Sequence, residues 1–81
     1  MNVKILGVGC ANCKRLEALV REVAAAEQLP LEIDEVTDIP VIMGYGIMHT
    51  PGLVIDGRVV ASGRIPRRSE ISAWLQAAVS A

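Results

Sequence analysis

The sequence predicts an α/β fold in which the elements follow the order β-α-β-α-β-β-α and build a four-stranded mixed sheet with helices on both faces. Three observations predict this fold. An apolar run at residues 3–6 leads into a long amphipathic pattern, two β-branched runs flank an Asp-Gly pair, and a second helical pattern closes the chain. Strands that alternate with helices in this way favour a sheet covered by helices.

The first strand and the first helix have the strongest patterns. Residues 3–6 are mostly apolar and end at Gly7, which is typical of a strand inside a sheet. Residues 11–28 repeat apolar side chains at steps of three and four, and Pro30 ends the helix. The apolar positions are Leu16, Leu19, Val20 and Val23. The next strand should therefore run parallel to the first, through a right-handed crossover.

A second strand and a short helix are expected in the middle of the chain. Residues 31–36 begin with alternating apolar and polar side chains and then lose the alternation, which is typical of a half-exposed strand near a sheet edge. Thr37 or Asp38 offers an N-cap oxygen for a short helix at residues 39–45, and Pro40 is tolerated in its first turn.

A hairpin and a last helix complete the predicted fold. Residues 53–55 and 58–61 flank Asp56-Gly57, and this pair predicts a tight antiparallel hairpin. Residues 67–79 then form a helix with one apolar face. That face carries Ile71, Trp74, Leu75 and Ala78.

Length and charge limit the classes of function. Eighty-one residues predict a single domain over residues 1–81. Eight basic and nine acidic side chains give a formal net charge of -1, which offers no broad attraction to nucleic acid or to anionic membranes. We find no signal-peptide pattern, and the most apolar window, residues 39–48, is shorter than the about 20 residues that span a membrane. We expect a cytoplasmic monomer.

The only two cysteines, Cys10 and Cys13, lie where the first strand gives way to the first helix. In a reducing compartment such a pair is more often catalytic or metal-binding than structural. As a purely structural disulfide, the pair would stabilise the folded state by only roughly 2 kcal/mol in the loop-entropy model. Helical N–H groups and the helix dipole favour a thiolate at Cys10, the expected nucleophile. Cys13 should lie about 5 Å away between Cα atoms, within reach of a disulfide.

These motifs resemble the thioredoxin superfamily. Cys10-Ala11-Asn12-Cys13 follows a first strand, Thr50-Pro51 precedes the strand at residues 53–55, and an Asp-Gly hairpin and a closing helix follow. More narrowly, nearly the whole chain is similar to the small, glutaredoxin-sized thioredoxin-like proteins called small redox-active disulfide proteins.

The resemblance implies a thiol-disulfide oxidoreductase acting on partner proteins. Cys10 would attack a substrate disulfide, and Cys13 would resolve the mixed disulfide. The resemblance also implies that Pro51 is cis and lies against the cysteines, and that the Thr50 backbone pairs with an extended substrate segment. No cofactor beyond the Cys10–Cys13 disulfide is implied, and a reductase or thiol donor would supply electrons.

The chain differs from better-known thioredoxins at the positions that determine the reactivity of their cysteines. Gly9 replaces the tryptophan before the first cysteine, Ala11-Asn12 replaces Gly-Pro, and the first strand carries Lys4 rather than a buried acid. The redox potential and the electron donor are therefore not predicted.

Lys14 and His49 are candidates for tuning the cysteines. Lys14 lies in the first helical turn, where its charge could help to hold a thiolate, but a solvated surface cation is the more frequent case. His49 directly precedes Thr50-Pro51 and could relay a proton, although a loop histidine is more often simply exposed.

A soft-metal binding module is the alternative function. Two thiolates after a first strand suit Cu(I) or, with further ligands, Zn. A Thr-Pro pair and a hairpin before a final helix match heavy-metal chaperones poorly. We therefore predict an oxidoreductase without a metal.

Overall fold

The predicted order of elements is confirmed. The computed structural model describes residues 1–80. Its helices and strands are β1 (Asn2–Leu6), α1 (Ala11–Ala26), β2 (Glu32–Val36), α2 (Ile39–Gly44), β3 (Gly52–Ile55), β4 (Arg58–Ser62) and α3 (Arg68–Ser80).

The strands form a four-stranded mixed sheet in the order β2-β1-β3-β4. β1 pairs in parallel with β2 and antiparallel with β3, and β4 is antiparallel to β3. β2 is an edge strand, as its broken alternation of apolar and polar residues predicted. β1 is an inner strand of the sheet. The residues that follow its C-terminal end therefore lie near the middle of that end of the sheet.

The hairpin between β3 and β4 turns at the Asp-Gly pair. Asp56 and Gly57 have φ angles of 47° and 81°, which is the pattern of a type I′ turn. The register shifts inside the hairpin, where Leu53 pairs with Ala61 but Val54 pairs with Val59. This bulge adds one residue to β4 and is the one irregularity of the ladder.

The helices cover both faces of the sheet, as predicted. α1 and α3 lie on one face, called here the α1/α3 face, where the main hydrophobic cluster includes Leu16, Ile71 and Leu75. α2 lies on the other face, called the α2 face, where a smaller cluster consists of Leu6, Ile42 and Val54. Alternate residues of β1 and β3 supply both clusters because successive strand side chains point to opposite faces.

α1 ends at Ala26, two residues before the predicted end. Gln28 takes a left-handed φ of 55°, and the Leu29 and Gln28 N–H groups donate to the carbonyl oxygens of Ala24 and Ala25 at 2.9 and 3.2 Å. This is a Schellman motif, which usually has glycine at the left-handed position. With glutamine there, no glycine marks the end of the helix.

The other two helices differ slightly from the predicted ranges. α2 begins after Asp38, whose carboxylate accepts the Val41 N–H, and it ends at Gly44 rather than at residue 45. α3 begins at Arg68, one residue later than predicted. Glu70 caps its first turn, since its carboxylate accepts the Arg67 N–H at 3.1 Å. Among residues 1–80, no helix is both long and apolar enough to cross a membrane.

Candidate active site

Cys10 is the N-cap residue of α1. Its backbone is extended, with φ −67° and ψ 162°, and its sulfur accepts the Cys13 N–H at 3.1 Å. A sulfur that receives a helical N–H at the positive end of the helix dipole is stabilised in its anionic form. The first turn of α1 contains no acidic residue that would oppose this effect.

The two cysteines form a disulfide in this structure, with 5.1 Å between their Cα atoms. They differ in accessibility. Cys13 is 5% exposed and belongs to the main cluster with Leu16, whereas Cys10 is only partly buried at the edge of that cluster. A partner molecule can therefore reach the Cys10 sulfur more readily than the Cys13 sulfur.

Gly7 leaves room for the disulfide. A Cβ atom at Gly7 would overlap the Cys13 sulfur and would lie 3.8 Å from the Thr50 Cβ. The Gly7 N–H also donates to the Val36 carbonyl oxygen at 3.0 Å, which holds this backbone at the end of the sheet. Cys13 and Thr50 therefore both lie next to Gly7.

The Thr50–Pro51 peptide bond is cis in the structure. Pro51 is buried, and its carbonyl oxygen accepts the Gly63 N–H at 2.9 Å. Thr50 is exposed beside Gly7 and Cys13. The loop that carries these two residues therefore lies next to the cysteine pair, and its outer side is open to a partner.

The structure places the two candidate tuning residues differently. His49 is exposed and lies against Gly63, where an added Cβ would be 2.9 Å from the His49 Cβ. The Lys14 side chain acts on a carboxyl group of β2. A hydrogen bond that Glu35 donates to Glu17 and repulsion by the Glu17 charge raise the pKa of Glu35, while the Lys14 charge lowers it. The charge of Lys14 thus acts on Glu35 of β2.

Comparison with known proteins decides the family. Residues 1–76 match the family model described as a thioredoxin domain. The chain belongs to the thioredoxin family. It is 34% identical over 71 residues to a thioredoxin of Methanothermobacter thermautotrophicus, covering 88% of this chain and 92% of that protein. It is 31% identical over 74 residues to a thioredoxin of Methanocaldococcus jannaschii, covering 91% and 85%.

The sheet order, the covering helices and the Cys-x-x-Cys disulfide are those of a thioredoxin-like fold. Family membership and the Cys10–Cys13 disulfide together make thiol-disulfide oxidoreduction the chemistry of this site. Within residues 1–80, no group of three or more His, Cys, Asp or Glu side chains lies close enough to hold a metal ion.

Sequence reasoning missed one feature of this thioredoxin-family site. An apolar groove lies beside Thr50, between α2 and the loop that precedes the cysteines, and Val8, Ile39, Met43 and Met48 line it. The available signal was the composition of α2, which reads Ile-Pro-Val-Ile-Met-Gly and contains no polar side chain. Most residues of this apolar helix are exposed, and Ile42 is buried.

Proposed function

We propose that this thioredoxin-family protein reduces or exchanges disulfides in partner proteins, with Cys10 as the nucleophile and Cys13 as the resolving cysteine. The observation that carries the proposal is the asymmetry of the pair. The Cys10 sulfur accepts the Cys13 N–H at 3.1 Å, and Cys10 is a partly exposed residue, whereas Cys13 is 5% exposed. A nucleophilic thiolate must be both stabilised and reachable, and only Cys10 meets both requirements.

The reaction proceeds in two exchange steps. In the reduced protein, the Cys10 thiolate attacks one sulfur of a substrate disulfide, a mixed disulfide forms, and the other substrate sulfur leaves as a thiolate. Cys13 then loses its proton and attacks the Cys10 sulfur, which releases the second substrate thiolate. Two electrons pass from the Cys10–Cys13 dithiol to the substrate. The dithiol becomes the intramolecular disulfide, and the two substrate thiolates take up protons.

The cysteine pair needs no bound cofactor in this cycle, but it needs a reductant. We propose that a reductase or another thiol donor returns two electrons to the Cys10–Cys13 disulfide by the same exchange chemistry. A working dithiol of this kind suits the cytoplasm, where thiols are kept reduced. We also propose that the protein acts as a monomer and binds neither nucleic acid nor membranes.

Thr50 and Pro51 supply the surface on which the substrate lies. We propose that an extended substrate segment pairs with the Thr50 backbone and so brings its disulfide to the Cys10 sulfur. The position of Thr50, exposed and adjacent to Gly7 and Cys13, supports this role. This proposal gives Lys14 and His49 no step in the exchange reaction, and His49 lies against Gly63.

Trapping experiments with single cysteine variants test the assignment of roles. Cys13→Ser should accumulate a mixed disulfide with a disulfide-containing protein such as insulin, because Cys10 can attack but nothing resolves the product. Cys10→Ser should trap at least tenfold less, since the remaining thiol is buried. The double variant Cys10→Ser/Cys13→Ser is the control for non-covalent capture. Equal trapping by the two single variants, measured by non-reducing electrophoresis and mass spectrometry, contradicts the assignment.

A further inference from the structure

A cavity between α3 and the β3–β4 hairpin, called here the hairpin cavity, has no part in the proposed reaction. Its volume is about 260 Å³. The residues that line it come from the end of β3, the hairpin turn, β4 and the second half of α3. They include Ile55, Asp56, Arg58, Val60, Trp74 and Ala77.

The hairpin cavity lies at the opposite end of the sheet from the cysteines. β1 runs from Asn2 to Leu6, and Cys10 follows its C-terminal end. The hairpin turn is fixed to the other end of β1, since the Asp56 N–H donates to the Asn2 carbonyl oxygen at 2.8 Å. A ligand in this cavity therefore does not cover the Cys10 sulfur.

The side chains of α3 explain why the space is unfilled. Trp74 is half-buried and packs against the main hydrophobic cluster. Ala77 and Ala78 follow at the three- and four-residue steps that share one face of a helix, and their methyl groups leave room beside the indole ring. Because β4 is an edge strand, a ligand can enter from the side of the sheet.

One carboxylate and one guanidinium side chain line the otherwise apolar cavity. An oxygen of the Asp56 carboxylate accepts the Asn2 N–H at 2.8 Å, and this hydrogen bond holds the carboxylate in place. Arg58 lies two residues further along the chain. Neither Asp56 nor Arg58 takes part in the ion pairs found among residues 1–80. The cavity therefore offers a ligand one negative and one positive group.

We infer that the hairpin cavity binds a free α-amino acid with a large apolar side chain, such as phenylalanine. The ammonium group of the ligand donates to Asp56, its carboxylate accepts from Arg58, and its side chain packs against Trp74. The cavity is smaller than the roughly 300–1,000 Å³ of sites for drug-sized ligands, so it suits a molecule no larger than one amino acid. An aromatic side chain gains further from contact with the indole ring.

The lining favours a zwitterion over a ligand with a single charge. A carboxylate without an ammonium group would contact Arg58 but would also lie near the Asp56 carboxylate, and like charges repel. An amine without a carboxylate would be repelled by Arg58 in the same way. A free amino acid therefore fits the cavity better than either end of a peptide chain, which carries only one of the two charges.

Fluorescence titration tests this inference, because Trp74 is the only tryptophan of the chain and lines the cavity. The four ligands are phenylalanine, N-acetylphenylalanine without the ammonium charge, phenylalaninamide without the carboxylate, and serine without the apolar side chain. Phenylalanine should bind with a Kd of about 1 mM, and the other three should bind about fivefold more weakly or worse, since exposed charges contribute modestly. Isothermal titration calorimetry provides a second measurement of each Kd.

Two charge variants assign the contacts of the ligand. Arg58→Gln should weaken phenylalanine about fivefold and should bind phenylalaninamide at least as tightly as the wild type, because the amide has no carboxylate. Asp56→Asn should weaken phenylalanine to a similar extent but not N-acetylphenylalanine. Asparagine tolerates the left-handed backbone of the turn and can accept the Asn2 N–H, so the hairpin is kept. Arg15→Gln is the matched control, because Arg15 is exposed on α1 and does not line the cavity.

A variant that fills the cavity completes the test. Ala77→Leu should abolish binding of phenylalanine, because the larger side chain occupies the space beside the indole ring. Equal binding of phenylalanine and its two singly charged derivatives overturns the inference, and so does the absence of saturable binding at about 10 mM phenylalanine. Equal weakening by Arg58→Gln and Arg15→Gln also overturns it. None of these results bears on the proposed function, which is tested at Cys10 and Cys13.

Discussion

The two faces of the sheet differ in how completely their helices cover them. On the α1/α3 face, Leu16, Ile71 and Leu75 have no exposed surface. On the α2 face, a six-residue helix buries Ile42 and leaves Met43 in solvent. Because free energy from the hydrophobic effect scales with the apolar area removed from water, the first face supplies most of the stability. The second face keeps apolar surface available for a partner.

The cysteine pair lies at the boundary between these two faces. Cys13 packs in the cluster of the α1/α3 face, while Val8 and Thr50 line the groove of the α2 face. Cys13, which we propose as the resolving cysteine, is thus held in the main hydrophobic cluster, and in the proposed reaction the substrate approaches from the less covered α2 face. A site that must release its substrate after each cycle benefits from this division, since the substrate does not need to open the main core.

The largest expected effects on the free energy of unfolding come from Leu16→Ala and Ile42→Ala. Together these two variants test the difference between the faces. Leu16→Ala should lower the free energy of unfolding by about 3–5 kcal/mol, because Leu16 is fully buried and enclosed by α1, α3 and the sheet. Ile42→Ala should cost about 2 kcal/mol, since the thin cover of the α2 face can collapse around the smaller side chain. Urea denaturation of the oxidised variants measures both values.

The loss expected for Leu16→Ala is comparable to the lower end of the stability of a domain of this size, which is about 4–12 kcal/mol at typical values per residue. The Leu16→Ala protein should therefore be partly unfolded at 37 °C, and Ile42→Ala should remain folded. Equal losses in the two variants would show that the α2 face contributes as much stability as the other face, against the division argued above.

The sequence was sufficient for the strands because their signals are local. Asp56-Gly57 predicts the hairpin through its turn geometry alone, and the apolar spacing of α1 predicts its buried side. The end of α1 was missed because Gln28, rather than a glycine, takes the left-handed conformation. The start of α3 was predicted at about residue 67, and the helix begins at Arg68, where the Glu70 carboxylate accepts the Arg67 N–H.

The sequence predicted the candidate site only at the positions that belong to a recognisable sequence motif. Cys10 and Cys13 were found from their spacing and their place before a helix. The groove was not, because an apolar helix with no polar residue looks in sequence like a buried one. Whether Met43 packs inward or faces solvent depends on how much of the sheet lies beneath α2, and the sequence does not contain that information locally.

Gly7→Ala should have the next largest effect. The added methyl group would overlap the Cys13 sulfur, so the disulfide or the β1 end must shift, and overpacking of this kind costs about 1–3 kcal/mol. Thermal unfolding of the oxidised protein measures the loss. Gly44→Ala is the matched control on α2, because nothing lies within 4 Å of its added Cβ and alanine favours a helix, so stability should be unchanged or slightly higher. A Gly7→Ala protein as stable as Gly44→Ala would show that the disulfide is loosely held.

The smallest expected effect concerns acid stability at the start of α3, the helix that helps to seal the α1/α3 face. Glu70 accepts two hydrogen bonds from Arg64, at 3.0 and 2.9 Å, and one from the Arg67 N–H. The Arg64 hydrogen bonds and the Arg67 backbone N–H lower the pKa of Glu70 from its ordinary 4.5 to about 2. A carboxyl whose pKa is lower in the folded protein stabilises the fold above pH 4.5. That contribution is lost as the pH falls from 4.5 towards 2.

Glu70→Gln should therefore lower the melting temperature at pH 7 and should reduce its fall between pH 4.5 and 2, compared with the wild type. Glu22→Gln is the control, because Glu22 makes a single exposed contact to Arg68 at 3.4 Å, and such surface pairs contribute little. Melting temperatures of the oxidised proteins across this pH range give the comparison. If Glu70→Gln and the wild type lose stability in parallel below pH 4.5, Glu70 does not hold α3 against the sheet through its charge, and the cap acts through hydrogen bonds that a neutral amide can replace.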